Sequence, residues 1–198
     1  MIDDEEVVGL HLPPKEYERI ETAVVDLYAK LKVASIPIDP FIIVKRSGWV
    51  VKPYSELSHD AVKALRESHN DGCSLFDPKL KRHVIYYDDF NPMVRVRFTI
   101  MHEVGHIVLE HKEESDLANH MANYYAAYAL APSPLIGRRK CEDYIDVANA
   151  FNVSRDCAAL CFERYMKWLR YGGKFYKPYE IMLLDLFFPQ DEEVIAYD

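Results

Sequence analysis

No stretch of this chain approaches ~18 uninterrupted apolar residues, so nothing in it is expected to cross a membrane. The opening MIDDEEVVGL lacks the basic start of a secretory signal, and export is not expected either. Positive charge is in deficit: 24 Lys and Arg stand against 32 Asp and Glu, a formal charge of −8 at pH 7. A surface of that sign repels phosphate backbones unless it segregates a basic face. The only basic clusters are Lys79, Lys81 and Arg82, then Arg138, Arg139 and Lys140, and both read as solvated loops. Cysteine is sparse and poorly spaced. Cys73, Cys141, Cys157 and Cys161 contain no C-x-x-C, which excludes a disulfide framework or zinc ribbon and suits buried thiols in a reducing cytoplasm. Internal repeats and low-complexity tracts are missing too.

What is present is the material of a core. Hydrophobic residues make up 49% of the 198 and aromatics 13%, too rich for a chain that stays solvated. A domain of this length hides roughly 70% of its unfolded surface without staples.

Apolar spacing at Ile20, Val24, Leu27, Tyr28 and Leu31 predicts a helix over 15–31, after an acidic arm closed by Pro13-Pro14. Pro40 opens a short second helix through Val44, and Trp49-Val50-Val51 reads as a strand stopped by Pro53. Ser58 caps a helix to about Ser68, and Asn70-Asp71-Gly72 marks a turn. Two short strands follow, 73–76 and 83–87. A long helix runs from Met93 to about Glu110, capped by Asp88 or Asp89 with Asn91-Pro92, and turned inward through Val94, Phe98, Met101, Gly105, Val108 and Leu109. Another spans about 115–130 and is stopped by Pro132 and Pro134. Helical segments at about 142–151 and 154–171 come next, Ser154 capping the second, before Gly172-Gly173. The expected fold is α+β, mainly helical, with a small early sheet. It divides into an arm (1–13), a core (14–135), a helical extension (136–174) and an aromatic tail that packs back (175–198).

One segment rises above this background: His102-Glu103-Val104-Gly105-His106, inside the long helix. Residues four apart share a helical face, so both imidazoles can reach one ion. Glu103 points one step round, placed to take a proton from a water on that ion without being a ligand. In an apolar helix, two histidines and a glutamate cost desolvation unless they are paired. The plainer alternative is a pair of core histidines held by hydrogen bonds. His111 is read as a solvated helix end. Tyr124, Tyr125 and Tyr128 form a stripe that suits the core, although a tyrosine there could donate to an oxyanion.

From Asp71 to Tyr171 the sequence resembles the ImmA/IrrE-type metallo-endopeptidases. The blocks that carry this are Asp71-Gly72-Cys73-Ser74, Val84-Ile85-Tyr86-Tyr87-Asp88, and Arg97-Phe98-Thr99-Ile100-Met101 leading into the histidines. Ala122-Asn123-Tyr124-Tyr125-Ala126-Ala127, running on to Pro132, is similar to the family's Ala-Asn-x-Phe-Ala-Ala helix. Phe151-Asn152-Val153-Ser154 resembles its later Phe-x-Val-Ser segment. The resemblance implies a zincin-like core in a cytoplasmic protein, with Zn2+ as cofactor, His102 and His106 as ligands and Glu103 as general base. It also implies a protein substrate, typically a basic helix-turn-helix repressor of mobile elements or stress circuits. The family's third ligand is a Glu four residues before the Asn of Ala-Asn; that position here is Asn119. A neutral amide is a poor substitute for a carboxylate. Asp116 and His120 are nearby, yet each needs a shifted helix, so Asn119, His120, Asp116 or nothing completes the site.

Three functions compete: a zinc endopeptidase, a metal-poor relative that regulates by binding protein, and a DNA-binding protein using the helices around Asn152-Val153-Ser154. The charge of −8 argues against the third, for which Arg155, Arg164, Lys167 and Arg170 are the best contacts on offer. No direct nucleic-acid partner is expected.

Overall fold

The computed structural model describes residues 11–69, 71–113, 115–172 and 175–189. Ten residues of the expected acidic arm (1–10), Asn70 of the expected turn, Gly173 and the end of the tail (190–198) lie outside the described residues.

Pro13 and Pro14 start α1 (Pro14–Leu31), which buries Ile20, Val24, Val25, Tyr28 and Leu31 and leaves Leu27 at the edge of the stripe. Asp39 accepts from the Phe41 N–H and so caps α2 (Pro40–Arg46). Next come β1 (Val50–Pro53), a 3-10 turn at Tyr54–Glu56, and α3 (His59–His69), where Ser58 Oγ accepts from the Ala61 N–H. Strands β2 (Gly72–Asp77) and β3 (Arg82–Tyr87) complete a three-stranded sheet of order β1-β3-β2. β1 runs parallel to β3, with Val50 opposite Val84, and β2 runs antiparallel, with Gly72 opposite Tyr87. Gly72 is required there. A Cβ at that position would lie 2.6 Å from the Thr99 methyl and 2.7 Å from the Tyr86 carbonyl oxygen.

The central helix is α4 (Met93–Val108), wedged between the sheet and α2 on one side and α5 (Asp116–Leu130) on the other. Being covered twice changes its buried arc. Val94, Phe98 and Val108, expected inside, are only half-buried, while Val96, Ile100 and Val104 join Met101 and Gly105 in the core. The expected aspartate caps are absent as well. Pro92 occupies the N-cap without a side-chain bond; Asp88 accepts instead from Phe90 N–H and Arg66, and Asp89 from Ser55 N–H. Both aspartates serve the sheet end of the loop.

Ser115 caps α5 through the Ala118 N–H. Pro132 and Pro134 do not simply end it: they start a further helix, α6 (Ser133–Arg138), because proline fits a first helical turn. Helix α7 (Tyr144–Phe151) is capped by Asp143, and α8 (Arg155–Tyr171) by Ser154. Helix α9 (Pro178–Phe187) follows and packs against α1 and α6, with Tyr179, Leu183, Leu184 and Phe187 buried. All four cysteines are free and buried. Among the described residues, no helix is long and apolar enough to cross a membrane. The fold is therefore α+β and mainly helical.

Arg97 ties these layers together. It is 6% exposed and donates to three carbonyl oxygens: Ile38 at 2.7 Å, Asn152 at 3.0 Å and Phe151 at 3.2 Å. Two of these end α7, where the helix dipole favours a cation. Truncation orphans all three acceptors inside the protein. Arg97→Ala should cost about 3 kcal/mol, which lowers the midpoint of a chain this long by roughly 6–12 °C. Arg46→Ala removes a more exposed cap on the Leu31 and Lys32 carbonyls and serves as the control for thermal melting. A loss at Arg97 no larger than at Arg46 would contradict this account.

Candidate metal centre

The last turns of α4 carry His102, Glu103 and His106, and the face that bears the histidines lies along α5. Helices pack this closely because residue 105 has no side chain: a Cβ on Gly105 would touch the Tyr125 ring at 3.1 Å. Asn123 of α5 reaches across, its Oδ1 lying 2.8 Å from His102 Nδ1. An amide oxygen only accepts, so His102 carries its proton on Nδ1 and presents a bare Nε2. That Nε2 lies 2.9 Å from His106 Nε2. The opposite nitrogen of His106, Nδ1, is 3.0 Å from His111 Nδ1. Four residues thus form one chain in space: Asn123, His102, His106, His111.

Electrostatics keep His102 neutral. Burial first, and then the neighbouring His106, push its pKa down to about 4; the bond to Asn123 offsets part of this. His111 is lowered by the same two causes, burial leading. Neutral imidazoles are the form that binds a metal.

Glu103 lies one step round α4 and is 7% exposed. Its charge is felt at Tyr54, whose hydroxyl is pushed well above its ordinary range by burial first, then by Cys73, Asp88, Glu103 and Asp71. The fully buried Tyr54 hydroxyl has no hydrogen-bond partner. The spacing of the sequence offered no signal for Tyr54.

The other expected groups are placed as follows. Asn119 is half-buried one turn before Asn123, and no hydrogen bond joins its amide to either histidine among the described residues. His120 is pushed down by burial, then by Arg164 and His11, and is not part of the row Asn123–His102–His106–His111. Asp116 is exposed in the first turn of α5. Among the described residues, no group of three or more His, Cys, Asp and Glu could hold a metal. His111 does not supply the third ligand, because it meets the nitrogen of His106 that faces away from His102. It is nevertheless no solvated helix end. The tyrosine stripe is core: Tyr124 donates to Glu21, and Tyr125 and Tyr128 are buried.

His102 and His106 bring two imidazole Nε2 atoms, a donor type that zinc accepts, within 2.9 Å of each other, and the neutral amide of Asn119 lies one turn from Asn123. A cleft of about 310 Å3 lies nearby, lined by Arg19, Glu110, His111, Ser115, Ala118 and Met121 among others. A larger one, about 440 Å3, is built from the segment after α6 and from α7, with residues such as Arg139, Asp146 and Asn149, and contains none of the site residues.

Residues 56–171, more than half of the chain, match the family model Peptidase_M78, described as the IrrE N-terminal-like domain. No curated protein matches the chain.

Proposed function

The chain belongs to the Peptidase_M78 family of IrrE N-terminal-like domains, and from that premise we propose that it is a zinc-dependent endopeptidase with a loosely held metal. One observation supports this above the rest: the bare Nε2 of His102, fixed by Asn123, lies 2.9 Å from His106 Nε2. His102 and His106 hold the ion. When bound, zinc supplies Lewis acidity, polarising a peptide carbonyl and making water acidic near neutral pH. Glu103 accepts a proton from water and passes it to the departing amide nitrogen, as a general base and then an acid. Asn123 orients His102 throughout.

A second reading is favoured by Asn119, the amide at the expected carboxylate position: a relative that binds its partner without cutting it. Either way, the proposed partner is a basic helix-turn-helix repressor, steered by the net charge of −8. Arg164, one of the four basic residues on offer to DNA, lies instead over the Tyr124 ring, 4.4 Å from its centroid.

The test uses the full chain, titrated with zinc at neutral pH and incubated with a basic helix-turn-helix protein at low and raised salt. One zinc per chain, cleavage of the partner, and association that weakens with salt are expected. Zinc uptake or association without cleavage would shift the assignment to the second reading. Absence of zinc, cleavage and association together would reject both.

A further inference from the structure

We propose that His111 is a positioning residue for the metal centre, holding His106 in the orientation that turns its Nε2 toward His102. This rests on the metallopeptidase reading of the same site.

The backbone delivers His111 to that place. Glu110 takes a left-handed conformation, φ 57°, which a non-glycine residue adopts only at a steric cost. With that turn made, the His111 N–H donates to the His106 carbonyl at 3.0 Å, and the Glu110 N–H to Ile107 at 3.2 Å. The chain thus doubles back over the end of α4 and lays the His111 ring edge-on to His106, with centroids 5.0 Å apart and planes at 77°. A helix that simply frayed into solvent would make none of these contacts.

Proton positions follow from the fixed end of the chain. Asn123 takes the Nδ1 proton of His102, so His102 Nε2 is an acceptor. Across the 2.9 Å contact, His106 Nε2 must then donate, which leaves His106 Nδ1 bare. His111 Nδ1–H completes the row by donating to it, and His111 Nε2 is left buried with no partner. In this arrangement each contact of the row pairs one donor with one acceptor.

A ligand nitrogen cannot keep its proton. For His106 Nε2 to hold zinc, its proton must move to Nδ1, and Nδ1 then needs an acceptor. His111 meets both demands, because its Nδ1 donates in one tautomer and accepts in the other. The buried, unpartnered Nε2 is the atom that carries the proton in the second state. Three protons serve both states, so none has to leave. Asn123 fixes His102 in one tautomer; His111 supports His106 in either.

The experiment compares wild type, His111→Ala and His111→Gln by zinc titration and by long-range 1H–15N spectra of the imidazoles. His111→Ala should weaken zinc binding by about 10–100-fold, the usual loss for a partner behind a ligand. His111→Gln should recover most of it, since a pivoting amide can donate or accept. The His106 ring should show an Nε2–H tautomer without metal and Nδ1–H with zinc, and His111→Ala should mix the two in the metal-free chain. Wild-type affinity with an unchanged His106 spectrum in His111→Ala would overturn the proposal. If the wild type takes up no zinc, the peptidase reading fails, while the metal-free spectra still decide the His111 role.

Discussion

Glu103→Gln should keep zinc uptake at the wild-type level and lower the turnover of a peptide substrate by about 10²–10⁴-fold. Glutamine matches glutamate in size, so a side chain buried to 7% exposure is replaced without a cavity. Coordination should survive, because the proposed ligands are His102 and His106 and not Glu103. What goes is the ability to accept a proton from water and return it to the leaving nitrogen. The loss should fall on kcat with little change in KM, since the group acts in the transition state. Melting curves and zinc stoichiometry measured on the same sample separate loss of chemistry from loss of fold. Turnover within tenfold of wild type would remove Glu103 from the base role.

Zinc titration should divide the variants of the donor set just as sharply. His102→Ala and His106→Ala should each lose zinc by more than about 100-fold, because with two imidazoles as the anchor no pair remains after either change. Neither ring carries the core, so the fold should persist. Asn119→Glu should move affinity the other way, by about tenfold or more, equivalent to about 1.4 kcal/mol. It adds a charged oxygen one turn from Asn123, which already touches His102. Retained affinity in both histidine variants would refute the pair as ligands. No gain from Asn119→Glu would mean that residue 119 does not face the ion.

Much of this site was legible because a helix converts spacing into direction. His102 and His106 are four apart, and the structure brings their Nε2 atoms together. Asn123 was legible in the same way, as one turn from Asn119. His111 was not, because its place depends on the left-handed Glu110, and nothing in a His after a Glu announces a reversed chain end. His120 looked like a reserve ligand by position alone, yet the hydrogen-bonded row at the histidines runs through Asn123 and His111 without it. In the fold, α6 was hidden by its prolines, which stop one helix and start the next within three residues. The inward arc of α4 was misjudged by about one residue because it is covered from two sides, which a single amphipathic stripe does not represent.

The carbonyl clamp of Arg97 has a consequence for how this molecule breathes. Arg97 lies five residues ahead of His102 on the same helix, and its anchors, Phe151 and Asn152, are distant in sequence. Sub-global opening that frees the end of α7 must strip a buried cation of its acceptors, so α4 and α7 exchange their amide hydrogens as one cooperative unit. The histidine turn inherits protection from a segment some fifty residues downstream, and the rigidity that holds the two rings at fixed separation is drawn from outside the motif.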